Sequence, residues 1–425
     1  MQNLSQFIKK YKLTASDIDM EAMVQVFQKE MDKGLQGTES SLRMIPTYIE
    51  ADNSFSTNVP VLAIDAGGTN FRAALISISA DGTLETNNEV RASMPGLDYE
   101  ISRIEFFNII AGYVKPLAEK ADRIGFCFSY PTEILPDKDG ILLQFCKEIK
   151  APEVVGERIG KNLLEALGMP GHKIVLLNDT VATLLAGKSA SLGKTYDSFV
   201  GYILGTGTNT CYIENNKSIV KNPEMDQNRS QIINIESGNF AKALRSPLDI
   251  GFDNTTNNPG NYTFEKMFSG GYFGALCLYI LKIACNEDVF SRETAQCISV
   301  LNQLSSEEVN LLVSGKSGSS LGEAAIPVSD LQEVKYLFNN LIDRSAKLVA
   351  ANLAAVILKT GKGKESGKPI LVTVEGTTFY KLHGLKERFE QYFNEFLSGD
   401  QKRFVEFAGV AQSSLVGAAL SALIE

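Results

Sequence analysis

Asp65 follows the apolar run Val59-Pro-Val-Leu-Ala-Ile64 and opens a glycine-dense turn, Asp65-Ala-Gly-Gly-Thr-Asn70. A second run, Phe199-Val-Gly-Tyr-Ile-Leu204, ends likewise in Gly205-Thr-Gly-Thr-Asn209. Glycines at strand ends let backbone N–H groups approach phosphate oxygens, so both loops read as phosphate cradles. Between them, Asn178-Asp-Thr180 follows a third run, Lys173-Ile-Val-Leu-Leu177, and precedes an Ala- and Leu-rich helical stretch. Its carboxylate, Asp179, has two open readings, a helix N-cap or a group facing a terminal phosphate. One oxygen can cap while the other stays free, and the helix start behind it predicts a low pKa.

These loops need strands to carry them and helices to cover the strands. Residues 1 to about 45 read as helices, with Ser16 and Asp17 ahead of the apolar set Ile18, Met20, Met23, Val24 and Phe27. From Val59 to Val90 the pattern is strand-like, with Asp81-Gly82 as a turn. A helix over 99–121, a strand over 124–130, a helix over 152–167, a strand over 173–177 and a helix over 180–192 then alternate as in an α/β fold. From Ser198 the strand and glycine-loop pattern begins again, followed by helices within 265–286 and 330–359, a strand over 369–374 and closing helices. One theme is used twice.

Two stretches imitate nucleotide motifs. Gly187-Lys-Ser-Ala-Ser-Leu-Gly193-Lys-Thr195 has five residues between its glycines where a P-loop has four, and it follows a helix. It reads as a helix end and a surface turn. Gly205-x-Gly207 has Thr210 where a dinucleotide fingerprint needs glycine. The stretch Gly361-Lys-Gly-Lys-Glu-Ser-Gly-Lys368 reads as a polar connector.

Composition narrows the classes. The 425 residues are 44% hydrophobic, enough for two separate cores. Fifty acidic against 41 basic residues give a net charge of −9, which offers no positive field for nucleic acid or an anionic membrane. Six cysteines form no C-x-x-C pair, which fits a reducing cytoplasm. Two histidines, His172 and His383, exclude a zinc site built on several imidazoles. The amino terminus lacks the basic and apolar regions of a secretory signal. Apolar runs such as 274–281 stop at Lys282, short of the roughly 20 residues that span a bilayer. A soluble, cytoplasmic protein is expected.

Seven segments in order carry a resemblance: Leu42-Arg-Met-Ile-Pro-Thr-Tyr48, Leu62-Ala-Ile-Asp-Ala-Gly-Gly-Thr-Asn-Phe-Arg72, Gly125-Phe-Cys-Phe-Ser-Tyr-Pro131, Asn178-Asp-Thr-Val181, Gly205-Thr-Gly-Thr-Asn-Thr-Cys-Tyr212, Phe264-Glu-Lys-Met-Phe-Ser-Gly270 and Glu375-Gly-Thr-Thr378. The chain resembles the hexokinases, of the actin-like, RNase-H-like kinase superfamily. The resemblance implies an α/β fold of two RNase-H-like domains with mixed five-stranded sheets flanking a cleft. It places a small domain at residues 58–195 plus about 406–425 and a large one at 1–57 plus 196–405. It further implies Mg²⁺-dependent transfer of a phosphoryl group from ATP to the 6-hydroxyl of a hexose, with glucose the leading acceptor and domain closure on sugar binding. Hexose and ATP would be the partners, the chain being a monomer or homodimer.

By the same resemblance Asp179 is the catalytic base, and Asp65 holds Mg²⁺ through water, since that ion takes few direct protein ligands. Gly67, Gly68, Thr69, Asn70, Arg72, Gly205, Thr206, Gly207, Thr208, Glu375, Gly376, Thr377 and Ser414 fall on the nucleotide side. Arg72 reads either as a phosphate contact or as a surface ion pair. Ser129, Cys146, Lys147, Asn178, Asp179, Asn209, Glu236, Tyr262 and Glu265 fall where the family holds its sugar. Cys146 stands where the family has Thr and Tyr262 where it has Gln, so the sugar pocket departs at two positions. Glu375 replaces the usual Asp, and Gln412-Ser-Ser-Leu-Val-Gly417 replaces a richer glycine stretch. Rival readings are a kinase for fructose, mannose or an amino sugar, a non-catalytic sugar sensor, and an actin-like ATPase. A repressor-type sugar kinase lacks support because its cysteine and histidine zinc motif is missing.

Overall fold

The computed structural model describes residues 2–50, 55–79, 83–145, 149–191 and 194–424. Cys146, Lys147, the Asp81-Gly82 turn and Gly193 lie outside them.

Thirteen strands are described. In chain order they are β1 (Ile45–Pro46), β2 (Val61–Ala66), β3 (Asn70–Ile78), β4 (Leu84–Ser93), β5 (Arg123–Phe128), β6 (Thr132–Ile134), β7 (Gly140–Leu142) and β8 (Lys173–Leu177), then β9 (Ser198–Leu204), β10 (Thr208–Asn215), β11 (Ser230–Asn234), β12 (Ile370–Glu375) and β13 (Val405–Ala408). One sheet runs β4-β3-β2-β5-β8 and the other β1-β11-β10-β9-β12-β13, with β6 and β7 as a separate hairpin. Both are mixed. In each, an antiparallel hairpin closed by a glycine turn (β2–β3, β9–β10) adjoins a parallel strand (β5, β12). The second sheet reaches six strands because the two residues of β1 pair with the end of β11, and β13, which pairs with β12, extends it to Ala408.

Burial follows from this order. β2 is central and buried at all six residues, Asp65 included, whereas the polar edge strand β4 is mostly exposed. Between the sheets lie two helices packed on each other, Asp179–Ala190 and Ser413–Leu423, which both start at the same cavity and whose small residues permit close crossing. A Cβ on Gly125 of β5 would sit 1.7 Å from Ala418 O, and one on Gly417 2.0 Å from Ala182 O. A shared core of Val61, Ala63, Val181, Leu185, Leu415 and Leu420 therefore joins the two sheets. Among the described residues, no helix is long and apolar enough to cross a membrane.

Several boundaries differ from expectation for local reasons. The first long helix starts at Met20, because Asp19 accepts from Ala22 N and caps it; Ser16 and Asp17 belong to a separate short 3-10 turn. The 99–121 stretch narrows to Arg103–Ala118 behind the Ser102 cap, and the helix expected over 152–167 divides into the 3-10 turn Pro152–Val154 and the helix Ile159–Leu167.

Candidate active site

The glycine turn between β2 and β3 is closed by Gly67 N donating to Asn70 O at 3.0 Å. Its outer carbonyls are pinned, since the Tyr130 hydroxyl lies 2.9 Å from Gly67 O and 3.1 Å from Gly68 O. The equivalent turn after β9 is fixed from outside by Gly270 N on Gly205 O and Gly271 N on Thr206 O, both at 2.8 Å. A cavity of about 790 Å³ collects Asp65, Gly67, Gly68, Thr69, Asn70, Arg72, Ser129, Asp179, Thr206 and Ser414 on one wall system, together with Phe71, Arg91 and Ala92. Residues from the first glycine turn, the second glycine turn, the Asp179 helix and the Ser414 helix thus face one space.

Asn178 caps the 179–190 helix, its Oδ1 accepting from Thr180 N at 2.9 Å. Asp179 is therefore the first helical residue and not the cap. Its Oδ1 accepts from Thr180 N at 2.7 Å and lies 3.2 Å from the Thr180 hydroxyl. The expected low pKa is not found. Burial, and next the charge of Glu375, push the Asp179 carboxyl up to about 6, with smaller contributions from Asp65 and Glu236, while the bond from Thr180 opposes them. Burial first, and then the charges of the neighbouring carboxylates, outweigh the helix end.

Asp65 is 5% exposed. Burial raises its pKa, and the charge and hydrogen bonds of Arg72 work against that rise. Arg72 thus pairs with Asp65 in the wall of the same cavity. Asp65 and Arg72 are cross-strand partners on β2 and β3, and Arg72 is in turn opposite Arg91 on β4.

Among the residues expected to hold the sugar, Asn178, Asn209 and Glu236 form one network with Asn234. Asn209 Nδ2 donates to Asn234 Oδ1 at 2.8 Å, to Asn178 Oδ1 at 3.3 Å and to Glu236 Oε1 at 3.3 Å. Asn234 Nδ2 donates to Glu236 Oε1 at 2.8 Å. Glu236 adopts a left-handed backbone, φ 59°, and its pKa is raised by burial against the opposing bond from Asn234, the charge of Arg43 and the bond from Asn209. Glu265 Oε2 accepts from Thr208 N at 2.8 Å. Gly207 makes room for that carboxylate, since a Cβ there would lie 2.6 Å from Glu265 Oε2. Gln144 Nε2 donates to the Tyr262 hydroxyl at 3.1 Å.

Other expected residues tie the surrounding elements together. The Thr208 hydroxyl turns inward onto Ile203 O at 2.9 Å. Glu375 accepts from Thr183 at 3.2 Å and from the Ser413 hydroxyl, and so ties β12 to both central helices. Gly376, φ 121°, and Thr377 follow it at the edge of the second glycine turn. Asn234, Arg91, Arg43 and Tyr130 were not anticipated. Asn234 lies on β11 and reaches the site through its register with Cys211, which no local pattern reveals. Arg91 carried a weak signal, a cation on a strand opposite Arg72.

Comparison with known proteins decides the family. Two hexokinase profiles match the chain, one over residues 3–189 and one over 199–424. The chain belongs to the hexokinase family. Among hexokinases, Hexokinase-3 of Mus musculus is 31% identical over 409 residues, covering 89% of this chain but 43% of the mouse protein. Hexokinase-3 of Oryza sativa subsp. japonica is 28% identical over 432 residues, covering 93% of this chain and 85% of the rice protein. The chain thus spans under half the length of the mammalian hexokinases it matches. The hexokinase from Schistosoma mansoni complexed with glucose has the same fold, with a TM-score of 0.81, 24% identity and 99% coverage of both chains. The expected α/β hexokinase architecture is therefore present.

Proposed function

We propose that the chain transfers the γ-phosphoryl group of ATP to the 6-hydroxyl of a hexose, glucose first. The observation that supports this reading is the position of Asp179. It faces the cavity lined by both glycine turns and adjoins Asn178, whose Oδ1 receives Asn209 of the sugar-side network. Asn178, Asn209, Glu236 and Glu265 supply the paired donors and acceptors that a polyhydroxylic acceptor needs. Sugars lacking a matching hydroxyl leave buried groups unpaired and are rejected steeply.

In the reaction the sugar oxygen forms a bond to the γ-phosphorus as the bond to the ADP oxygen breaks. The hydroxyl proton passes to Asp179. Such a transition state is loose, so positioning and charge neutralisation supply most of the acceleration. Asp179 with a pKa of about 6 is ionised near neutrality and is a better proton acceptor than an ordinary aspartate. Backbone N–H groups at Gly68, Thr69 and Thr206, with Arg72 and Arg91 beside them, suit a polyphosphate.

The donor set also suits Mg²⁺. Among the described residues no group of three or more His, Cys, Asp or Glu side chains is arranged to hold a metal. Mg²⁺ fits that situation, because it keeps several waters and binds through one or two carboxylates plus substrate phosphates. Asp65 would hold it through water, and the ion would supply neutralisation of phosphate charge. We assign residues 58–195 and the chain after Ala408 to a small domain and the rest to a large one, and expect the cleft to close on hexose and exclude water.

A coupled assay with ATP, Mg²⁺ and a panel of glucose, fructose, mannose and glucosamine tests the reading. ADP release dependent on one of these sugars supports it. Sugar-independent ATP hydrolysis, or sugar binding without turnover, would replace it by an ATPase or a sensor respectively.

A further inference from the structure

A second large cavity, about 870 Å³, opens on the face of the five-stranded sheet's lobe remote from the cleft. It lies at the starts of β5 and β8, where Arg123 and Lys173 stand, whereas Ser129 and Asn178 follow the opposite ends of the same strands. The tip of the β6–β7 hairpin, the Ile159–Leu167 helix and the end of the Ser413–Leu423 helix complete it.

Its wall carries five Lys or Arg side chains and three carboxylates. The carboxylates are already engaged. Asp139 accepts from Arg158 Nε at 3.0 Å and from the backbone N–H groups of Gly140 at 2.7 Å, Gly160 at 2.6 Å and Lys161 at 3.0 Å. Asp137 pairs with Arg158, and Glu165 lies 3.8 Å from Lys161. Arg123, Lys138 and Lys173 remain without an ion-pair partner among the described residues. Arg123 donates only to neutral acceptors, Ser56 Oγ at 3.2 Å and Ala422 O at 3.4 Å. Lys138 is half-buried, and burial and the charge of Lys173 lower its pKa, with Glu50 opposing. Glu50 is itself paired with Arg229. Cations gathered in a concavity whose carboxylates are already engaged repel one another, and a bound anion relieves that repulsion. Behind them Leu164, Ile174 and Ile424 give the cavity an apolar floor.

We propose that this cavity is a binding site for a small organic phosphate, its anionic head between Lys138, Lys173 and Arg123 and its carbon skeleton on the apolar floor. The site is independent of the reading of the cleft. An occupant touches the ends of β5, β8 and the Ser413–Leu423 helix, and those elements lead to Ser129, Asn178 and Ser414 at the cleft.

Lysine footprinting of the full chain tests the proposal. The protein is acetylated with acetic anhydride in the presence of ribose 5-phosphate, glycerol 3-phosphate, AMP or inorganic phosphate, and modified sites are read by mass spectrometry. At least one organic phosphate is expected to protect Lys138 and Lys173, and to do so better than inorganic phosphate. By calorimetry, Lys138→Gln/Lys173→Gln should weaken that same ligand at least about tenfold, the loss of two charge-assisted contacts. Circular dichroism should be unchanged. Protection by none of the organic phosphates, equal protection by inorganic phosphate, or undiminished affinity in the folded double variant would each overturn it.

Discussion

Arg72 Nε and Nη2 both donate to a single oxygen of Asp65, Oδ2, at 3.1 and 2.5 Å. The pair lies at the foot of the first glycine turn and inside the cavity that also holds Asp179. Arg72 keeps a buried carboxylate charged next to where polyphosphate charge is expected.

Removing that guanidinium leaves Asp65 desolvated and unpaired. Arg72→Met is expected to destabilise the fold by about 1–3 kcal/mol, the cost of an uncompensated buried polar group. Because Arg72 holds the raised pKa of Asp65 down, its loss moves the acid limb of activity to higher pH. Arg72→Lys should restore part of that shift. Urea unfolding and pH profiles of kcat/KM check both; an unmoved acid limb would separate Arg72 from the ionisation of Asp65.

Asp179→Ala should lower kcat by about 10²–10⁴-fold, the usual contribution of a general base, with the fold retained. In the wild type, kcat/KM should rise with pH through about 6 as Asp179 ionises. The stability sign is the reverse. A carboxyl whose folded pKa exceeds its unfolded value favours the fold below the unfolded value and loses that advantage as pH rises through about 6. Asp179→Asn, which keeps an acceptor for Thr180, should therefore raise Tm at pH 8 and not at pH 4. The gain should be on the order of 1–2 kcal/mol, reduced from the full linkage value by the part of Asp179 open to the cleft. Equal Tm changes at both pH values would contradict the raised pKa.

Asn209 joins Asn178, Asn234 and Glu236, so Asn209→Ala breaks the network at its centre. The expected result is a hexose KM at least about tenfold higher, from loss of oriented acceptors worth about 1–2 kcal/mol. Asn234→Ala should act in the same direction through Glu236. Thermal shift with and without glucose reads both variants, and an undiminished glucose-induced shift would place the sugar elsewhere.

Gly125→Ala tests the packing that joins the sheets. The new Cβ would meet Ala418 O at 1.7 Å, and backbone atoms on both sides must move. A loss of about 2–4 kcal/mol is expected by chemical denaturation, above the usual range for overpacking because the obstacle is main chain. Gly112→Ala, with nothing within 4 Å of its Cβ, is the control and should be neutral or slightly stabilising.

Local chemistry made much of this protein readable from its residues. The strand, glycine turn and strand units at 61–78 and 198–215 and the Lys173–Leu177 strand into the Asp179 helix are formed by neighbours in the chain. The Arg72 pairing was within reach too, since a hairpin closed at residues 67–69 puts Asp65 opposite Arg72. Tertiary structure alone decided what depends on distant segments meeting. Asn234 enters the site by sheet register, and Glu375, Asp65 and Glu236 approach Asp179 from separate strands and loops. Burial of Asp179 among these elements, with their charges added to it, overrides the helix terminus that, read locally, predicts an acidic Asp179. A pKa is set by every charge within reach, and sequence order does not record which charges those are.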